Sequence, residues 1–400
     1  MIKYDPNCVK RADIVIGIPS YNEADNIAFV VEKSAQGLQK YFPNYSSVII
    51  NVDNNSPDDT RGAFLKSTSA IPKIYISTSP GIKGKGNNFF NLFKEVFRLK
   101  AKAVVVIDAD IVSITPEWIR DLANPILNDG FDFATPLYSR NEYDGTITNN
   151  IVYPLVYGLL GKNIRQPIGG DFAFSYRLGK YFLQQHWHKT TLQYGIDIFM
   201  TLNAIIGDFK TCQVGLGAKV HKPSAPKLGP MFSQVVGTLF EILLTNKNRW
   251  QNVCDIETLP FYGQNVFTEP QSLSVDYKTM KETAKGEFKI NREILERSLS
   301  PDTFTKLDDM FDSGKIDISA DLWAKMIFEL IYAYDTTNSS SFLIEAMKPL
   351  YFSRVLSFYR QTLDLDHYLS EQEIQRQAKH FYNMRQYLMN RYQYQEAVAV

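Results

Sequence analysis

Asp108-Ala109-Asp110 follows directly on the apolar run Ala103-Val104-Val105-Val106-Ile107. A valine-rich run of this length reads as a buried strand of a parallel sheet, and ligands of such sheets bind beyond the carboxyl ends of the strands. Side chains two apart on a strand share a side, so both carboxylates are expected in one crevice. Adjacent carboxylates repel unless a cation or hydrogen bonds compensate them, and hard oxygens suit Mg²⁺ or Mn²⁺. Standing alone, the pair would read equally well as a solvated turn cap. Further clusters weigh against that.

Pro19-Ser20-Tyr21-Asn22-Glu23 sits at the carboxyl end of the first strand, where a nucleotide would lie. Asp53 ends the second strand, where a carboxylate can accept from a ribose or a base. Gly81-Ile82-Lys83-Gly84-Lys85-Gly86-Asn87 opens a helix; its glycines let backbone N–H groups approach a phosphate, and lysine adds a point charge. The spacing and hydroxyl of a P-loop are absent. Pro167-Ile168-Gly169-Gly170-Asp171 offers close backbone approach beside a carboxylate, and Tyr194-Gly195-Ile196-Asp197 sets another acid before an apolar helix. His221 follows the strand pattern of Cys212 to Lys219 and leads into Pro223 to Pro230, a segment suited to a mobile lid. A neutral imidazole there can complete a metal site begun by the acids.

The elements that position these groups alternate. Strands are expected at Asp13–Ile18, Ser47–Asp53, Lys73–Thr78, Ala103–Ile107 and Phe131–Ala134. Between them fall a helix capped by Asp25, one capped by Ser56 with Pro57 at its first position, one burying Phe89, Phe90, Phe93, Val96 and Phe97, and one begun by Pro116-Glu117-Trp118. Repeated βα units predict a mainly parallel, Rossmann-like sheet with helices on both faces. From about Met231 the pattern turns helical, with helices over Leu322–Tyr334, Phe342–Tyr359 and Glu371–Tyr394. The expected division is therefore 1–230 for a catalytic domain and 231–400 for a helical one. The last helix carries Tyr382, Arg385, Tyr387, Arg391 and Tyr392, a composition that reads as packing or a homo-oligomer contact rather than a nucleic-acid surface.

Lys+Arg 43 and Asp+Glu 43 balance to a formal net charge of +0, which argues against a nucleic-acid binder relying on a global positive field. Cys8, Cys212 and Cys254 are too scattered for a disulfide framework and suit a reducing cytoplasm. Met1–Pro6 lacks a signal-peptide core, and the stretches Ile151–Leu160 and Val235–Leu244 fall short of the roughly 20 residues needed to span a bilayer, so no transmembrane segment is expected.

In order and spacing these motifs resemble the GT-A nucleotide-sugar glycosyltransferases, with Pro19–Glu23, Asp53 through Thr60, and Asp108–Asp110 matching a P-x-Y-N-E, D-D-G-S-x-D-x-T and D-A-D pattern. Within that class Gly84-Lys85-Gly86, Pro116–Ile119, Gln166–Gly170, Tyr194–Asp197, His221 and the helical tail are similar to mannosylglycerate synthases and glucosyl-3-phosphoglycerate synthases. The resemblance implies a GT-A fold with a helical C-terminal region. It also implies transfer of mannose or glucose from an NDP-sugar (GDP-mannose, UDP-glucose or GDP-glucose) to D-glycerate or 3-phosphoglycerate.

By the same resemblance Asp110 and His221 would bind Mg²⁺ or Mn²⁺. Pro19, Asn22, Glu23, Asp53, Lys85, Asp108, Ala109, Gly169 and Gly170 would line the donor, and Arg140, Asp144, Thr148 and Asp171 the acceptor. Lys85, Asp108 and Asp197 would serve catalysis with retention of configuration; Asp197 acting as a base opposite the leaving group would instead invert. Asn54-Asn55 departs from the Asp-Gly of the broad pattern, and Asn87 replaces the acid expected after Gly-Lys-Gly, so donor base and sugar stay open. The alternatives are a saccharide or lipid-linked acceptor, a sugar nucleotidyltransferase, and a non-catalytic sugar-nucleotide-binding protein.

Overall fold

A computed structural model describes residues 2–222, 228–252, 255–263, 270, 273, 275–337 and 340–398. Its first elements are β1 (Ile2–Tyr4), β2 (Ile14–Ser20), α1 (Ile27–Tyr41), β3 (Ser47–Asp53), α2 (Thr60–Lys66), β4 (Lys73–Ser77), α3 (Lys85–Leu99), β5 (Ala103–Val106), α4 (Pro116–Leu127) and β6 (Phe133–Ser139). A π-helical turn (Thr148–Val152), α5 (Tyr153–Leu160), β7 (Lys162–Asn163), β8 (Phe172–Ser175), α6 (Tyr176–Gln184), α7 (Ile196–Ile206) and β9 (Thr211–Ala218) follow. The remainder comprises α8 (Leu228–Thr245), β10 (Glu257–Thr258), β11 (Phe261–Gly263), α9 (Tyr277–Ser298), α10 (Pro301–Ser313), α11 (Ala320–Thr336), α12 (Ser340–Ala346), α13 (Lys348–Thr362) and α14 (His367–Val398).

The chain divides into two compact units, 1–140 with 166–228 and 259–271, and 141–165 with 229–258 and 272–400. This is not the single cut expected at residue 230: residues 141–165 belong with the helices and 259–271 with the sheet.

The first unit holds a nine-stranded sheet, among the described residues, in the order β1-β4-β3-β2-β5-β8-β6-β9-β11. The chain runs outward from β2 through β3 to β4, then returns to place β5 on the other side of β2. That reversal opens a crevice at the carboxyl ends of β2 and β5. Both strands are buried along their whole length, which is why their sequences are unbroken apolar runs. β8 enters antiparallel between β5 and β6, pairing Val106 with Phe172. Its amino end therefore lies at the edge where its parallel neighbours end. β6 and β9 run parallel to Ser139 and Ala218. Residues 108, 140, 171 and 219 thus all emerge at one edge of the sheet. Pro136 is tolerated inside β6 because pairing with β8 stops at Ala134.

Several local expectations are corrected. Asn26, not Asp25, precedes α1, and its amide donates to the carbonyls of Ala109 and Ile111 instead of capping. α2 begins at Thr60 behind an Asp59 cap, because Ser56 is turned onto Asp53. β6 starts at Phe133, two residues late. Phe97 is exposed and stacks on Tyr176. The helix expected over Phe342–Tyr359 is two, α12 and α13, the second opened by Pro349 in its first turn. Of the expected lid, residues 223–227 lie outside those described, and Leu228 to Pro230 already belong to α8. α8 is 18 residues of high hydropathy, long and apolar enough by composition alone to cross a membrane, and half of it is buried in the structure.

In the second unit α5 and α14 approach so closely that a Cβ on Gly158 would stand 2.9 Å from the Phe381 side chain. The aromatic and cationic tail is internal packing. The Tyr387 hydroxyl donates to buried Glu329 at 2.6 Å, Arg391 donates to that hydroxyl, and Tyr392 packs edge-on against Trp250 and Tyr332.

The glycine-rich start of α3 docks on the 191–193 segment. Gly86 N–H donates to the Gln193 carbonyl and Asn87 N–H to that of Leu192, and a Cβ on Gly86 would lie 1.9 Å from the Thr191 carbonyl oxygen. Gly86→Ala is therefore expected to destabilise the protein by about 1–3 kcal/mol. Gly286→Ala, exposed inside α9 with no atom within 4 Å of the added methyl, should stabilise it by about 0.5–1 kcal/mol. Urea unfolding of both variants checks this, and a neutral Gly86→Ala would contradict the docking role.

Candidate active site

Asp108 stands two residues beyond β5 in a ring of charge. Lys85 Nζ, in the first turn of α3, lies 2.9 Å from Asp108 Oδ1 and 3.2 Å from Asp197 Oδ1. Lys219 Nζ, just past β9, lies 3.0 Å from Asp171 Oδ2 and 3.6 Å from Asp108 Oδ2, and donates to the Gly169 carbonyl at 2.6 Å. Asp171 Oδ1 accepts from the Asp108 N–H at 2.8 Å, and the Tyr138 hydroxyl donates to its other oxygen. The docking of the 191–193 segment on α3 is what sets Asp197, in the first turn of α7, against Lys85. Gly170 has φ +94°, and a Cβ there would fall 2.2 Å from Asp108 Oδ2.

Proton affinities separate the acids. Burial raises that of Asp108, but Lys85 and Lys219 overcome it and hold its carboxyl well below the usual range. Asp110 is pushed up by burial and by the Asp108 charge. Asp197 is pushed up chiefly by burial, against the pull of Lys85. Lys85 would lose its proton more readily through burial alone; the carboxylates of Asp108 and Asp197 keep it charged. The Tyr138 hydroxyl is pushed up by burial and by Asp171.

The four carboxylates of Asp108, Asp110, Asp171 and Asp197 thus face the two ammoniums of Lys85 and Lys219. An anionic diphosphate is repelled by that excess unless a cation enters with it. The donor set fits one: the hydrogen bond from Val112 N–H to the Val220 carbonyl ties the turn after Asp110 to the segment that carries His221, and carboxylate and imidazole both ligate divalent ions. Among the described residues no three His, Cys, Asp or Glu side chains converge as a cage. A divalent ion held by Asp110 and His221 would therefore draw its other ligands from water and phosphate oxygens, as Mg²⁺ commonly does.

The remaining expected residues fall into distinct places. Pro19 is buried within β2 opposite Val52. Asn22 takes φ +59°; its N–H donates to Ser56 Oγ, and the Glu23 N–H donates to Thr60 Oγ1, both at 2.9 Å. The Glu23 carboxylate meets Lys222 Nζ at 2.7 Å. Ala109 is buried, its carbonyl held by Asn26. Gly169 lies against the Pro136 ring.

Asp53 is 1 % exposed and accepts from Ser20, Tyr75 and Ser56, the last through both N–H and hydroxyl, and so organises the loop. Asp171, at 0 % exposure, anchors Lys219 and Tyr138. Arg140, half-buried, follows β6 in the first unit, while Asp144 and the buried Thr148 belong to the second. Lys219 was not singled out by its spacing. The available signal was its place at the carboxyl end of a buried strand, the position Asp108 and Arg140 hold on theirs.

Residues 15–187 match the family model described as Glycosyl transferase family 2. The matched region contains Asp108, Asp110, Lys85 and Asp171; Asp197, Lys219 and His221 lie beyond it. No curated protein matches the chain. Among solved structures, glucosyl-3-phosphoglycerate synthase from Mycobacterium tuberculosis in complex with Mn²⁺, uridine diphosphate and glucosyl-3-phosphoglycerate is 24% identical, with a TM-score of 0.47 over 58% of this chain and 80% of that one. The same protein with Mn²⁺, UDP-glucose and phosphoglyceric acid is 23% identical, with a TM-score of 0.47 over 58% and 79%.

Asp171→Asn leaves the buried Lys219 ammonium without its nearest counter-charge. It is expected to destabilise the protein by roughly 3 kcal/mol, the scale for breaking a buried pair. Urea unfolding measures it, and a loss below about 1 kcal/mol would show that Asp108 alone satisfies Lys219.

Proposed function

We propose that this chain, a glycosyltransferase of GT-A fold by its family 2 region, moves mannose or glucose from an NDP-sugar to a small carboxylated acceptor such as D-glycerate or 3-phosphoglycerate. One observation carries the reading: the two acids of Asp108-Ala109-Asp110 are differentiated, the first pinned between two lysines and the second left with raised proton affinity beside His221. That arrangement suits a donor whose diphosphate arrives with Mg²⁺ or Mn²⁺. When bound, the ion would neutralise charge building on the departing diphosphate.

The chain's own groups do the rest. Lys85 holds Asp108 and Asp197 in fixed relation, so the sugar meets two oriented carboxyl groups instead of mobile ones. Breaking a glycosyl–phosphate bond leaves an oxocarbenium-like sugar, which the excess of carboxylates favours. Asp197, partly buried in the first turn of α7, orients sugar or acceptor. The transfer retains configuration: the acceptor hydroxyl attacks on the leaving-group face as the glycosyl–phosphate bond breaks, and its proton passes to an oxygen of the departing diphosphate. Arg140, beside Lys219 at the ends of paired strands, offers a planar fork to an acceptor carboxylate.

Asp110→Ala and His221→Ala should each abolish transfer with an unchanged unfolding curve. Near-wild-type turnover of either variant, with a chelator-sensitive wild type, would remove that residue from the metal site. Arg140→Lys keeps the charge but not the two-pronged contact, so the acceptor KM should rise roughly tenfold to a hundredfold, about 1.5–3 kcal/mol, while acceptor-free donor hydrolysis stays unchanged. Equal loss of both activities would place Arg140 on the donor side.

A further inference from the structure

His221 lies between two tethered neighbours. On one side Val220 is fixed by its backbone to the turn that follows Asp110: Val112 N–H donates to the Val220 carbonyl and Val220 N–H to Ser113 Oγ, both at 3.0 Å. On the other side the Lys222 ammonium reaches the turn after β2, 2.7 Å from Glu23 Oε2 and 3.0 Å from Asp25 Oδ1. Glu23 is the better buried of these two acids, its side chain 13% exposed against 69% for Asp25. The Glu23 backbone is itself fixed by Thr60 and that of its neighbour Ala24 by Asp58. The 220–222 segment is therefore strapped at both ends to the loops that follow β2 and β5, and nothing in its own secondary structure holds it, since β9 has ended at Ala218.

We propose that Lys222 is a positioning residue: by bridging to Glu23 and Asp25 it fixes the backbone of His221 so that the imidazole is presented to the cation shared with Asp110. This rests on the metal reading given above. An ammonium next to His221 would otherwise serve as a positive charge for the departing diphosphate. The structure engages that ammonium with two carboxylates instead.

The two roles differ in sign. An ammonium acting only as a nearby positive charge repels a divalent cation, so removing it strengthens cation binding. An ammonium acting as a strap weakens cation binding when removed, because an oriented ligand becomes a loose one, an effect typically of about tenfold for groups that orient a metal ligand. Lys222 is half exposed, so its replacement leaves the core intact.

The test is Mn²⁺ binding to the full chain in the presence of UDP and, separately, GDP, followed by electron paramagnetic resonance of free Mn²⁺. The proteins are wild type, Lys222→Met, Lys222→Arg and Asp110→Ala. With whichever nucleotide supports binding, Lys222→Met should bind Mn²⁺ roughly tenfold more weakly than wild type, and Lys222→Arg, which keeps both bridges within reach, within about twofold of it. Unchanged or tighter binding by Lys222→Met, with Asp110→Ala binding weakened, overturns the strap and leaves the metal site standing. No Mn²⁺ binding by wild type with either nucleotide, or binding indifferent to Asp110→Ala, overturns the metal reading and the strap with it.

Discussion

The site depends on two largely buried ammonium groups. Lys85 and Lys219 approach Asp108 from opposite oxygens, and each carries a second carboxylate with it, Asp197 and Asp171. Without them, burying these acids within a few ångströms of one another would force protonation or open the crevice. With them, Asp108 remains ionised in a setting that would otherwise neutralise it. The lysines come from remote parts of the chain, one opening α3 and one ending β9. The network is therefore also a tertiary clamp, joining the central strands to both flanks of the sheet.

The antiparallel insertion of β8 makes this possible. A purely parallel sheet would bring only strand ends of one polarity to the crevice. β8 presents its start instead, and places Asp171 where it accepts the N–H of Asp108. The price is a crowded approach, met by Gly170 in a left-handed conformation that leaves room for the Asp108 carboxylate. The Asn22–Glu23 turn is governed by a similar inward-facing acid. Asp53 holds Ser56, which receives the Asn22 N–H, so that loop geometry passes from one strand end to the next by hydrogen bonds. Asn55, at φ +55°, fills with an asparagine a left-handed position that glycine would occupy at less strain.

Much of this was legible in the amino-acid order. The largely β-branched runs over 14–18, 48–52 and 103–106 form buried strands because a near-continuous apolar run suits a strand covered on both faces. The convergence of Asp108 and Asp197 could be anticipated only by family resemblance, since it depends on the 191–193 segment docking on Gly86 and Asn87. Spacing could not tell an acid that meets the crevice from one that faces the core: Asp53 ends β3 and Asp171 immediately precedes β8, both acids at strand ends like Asp108, yet neither meets solvent. Nor did it show Lys219, whose partners are 48 and 50 residues away in sequence. The glycine-rich start of α3 is a similar case. Small residues permit close approach, but whether of phosphate or of a neighbouring backbone is settled by what the fold brings there.

Hexose transfer to a carboxylated acceptor can be followed in a single assay. GDP-mannose, UDP-glucose and GDP-glucose are each incubated with D-glycerate and with 3-phosphoglycerate, with and without Mg²⁺ or Mn²⁺, and the products are followed by NMR. The expected result is one donor and one carboxylated acceptor giving a cation-dependent glycoside with the donor's anomeric configuration. Efficient transfer only to neutral saccharides, or product formation indifferent to chelation, would contradict it.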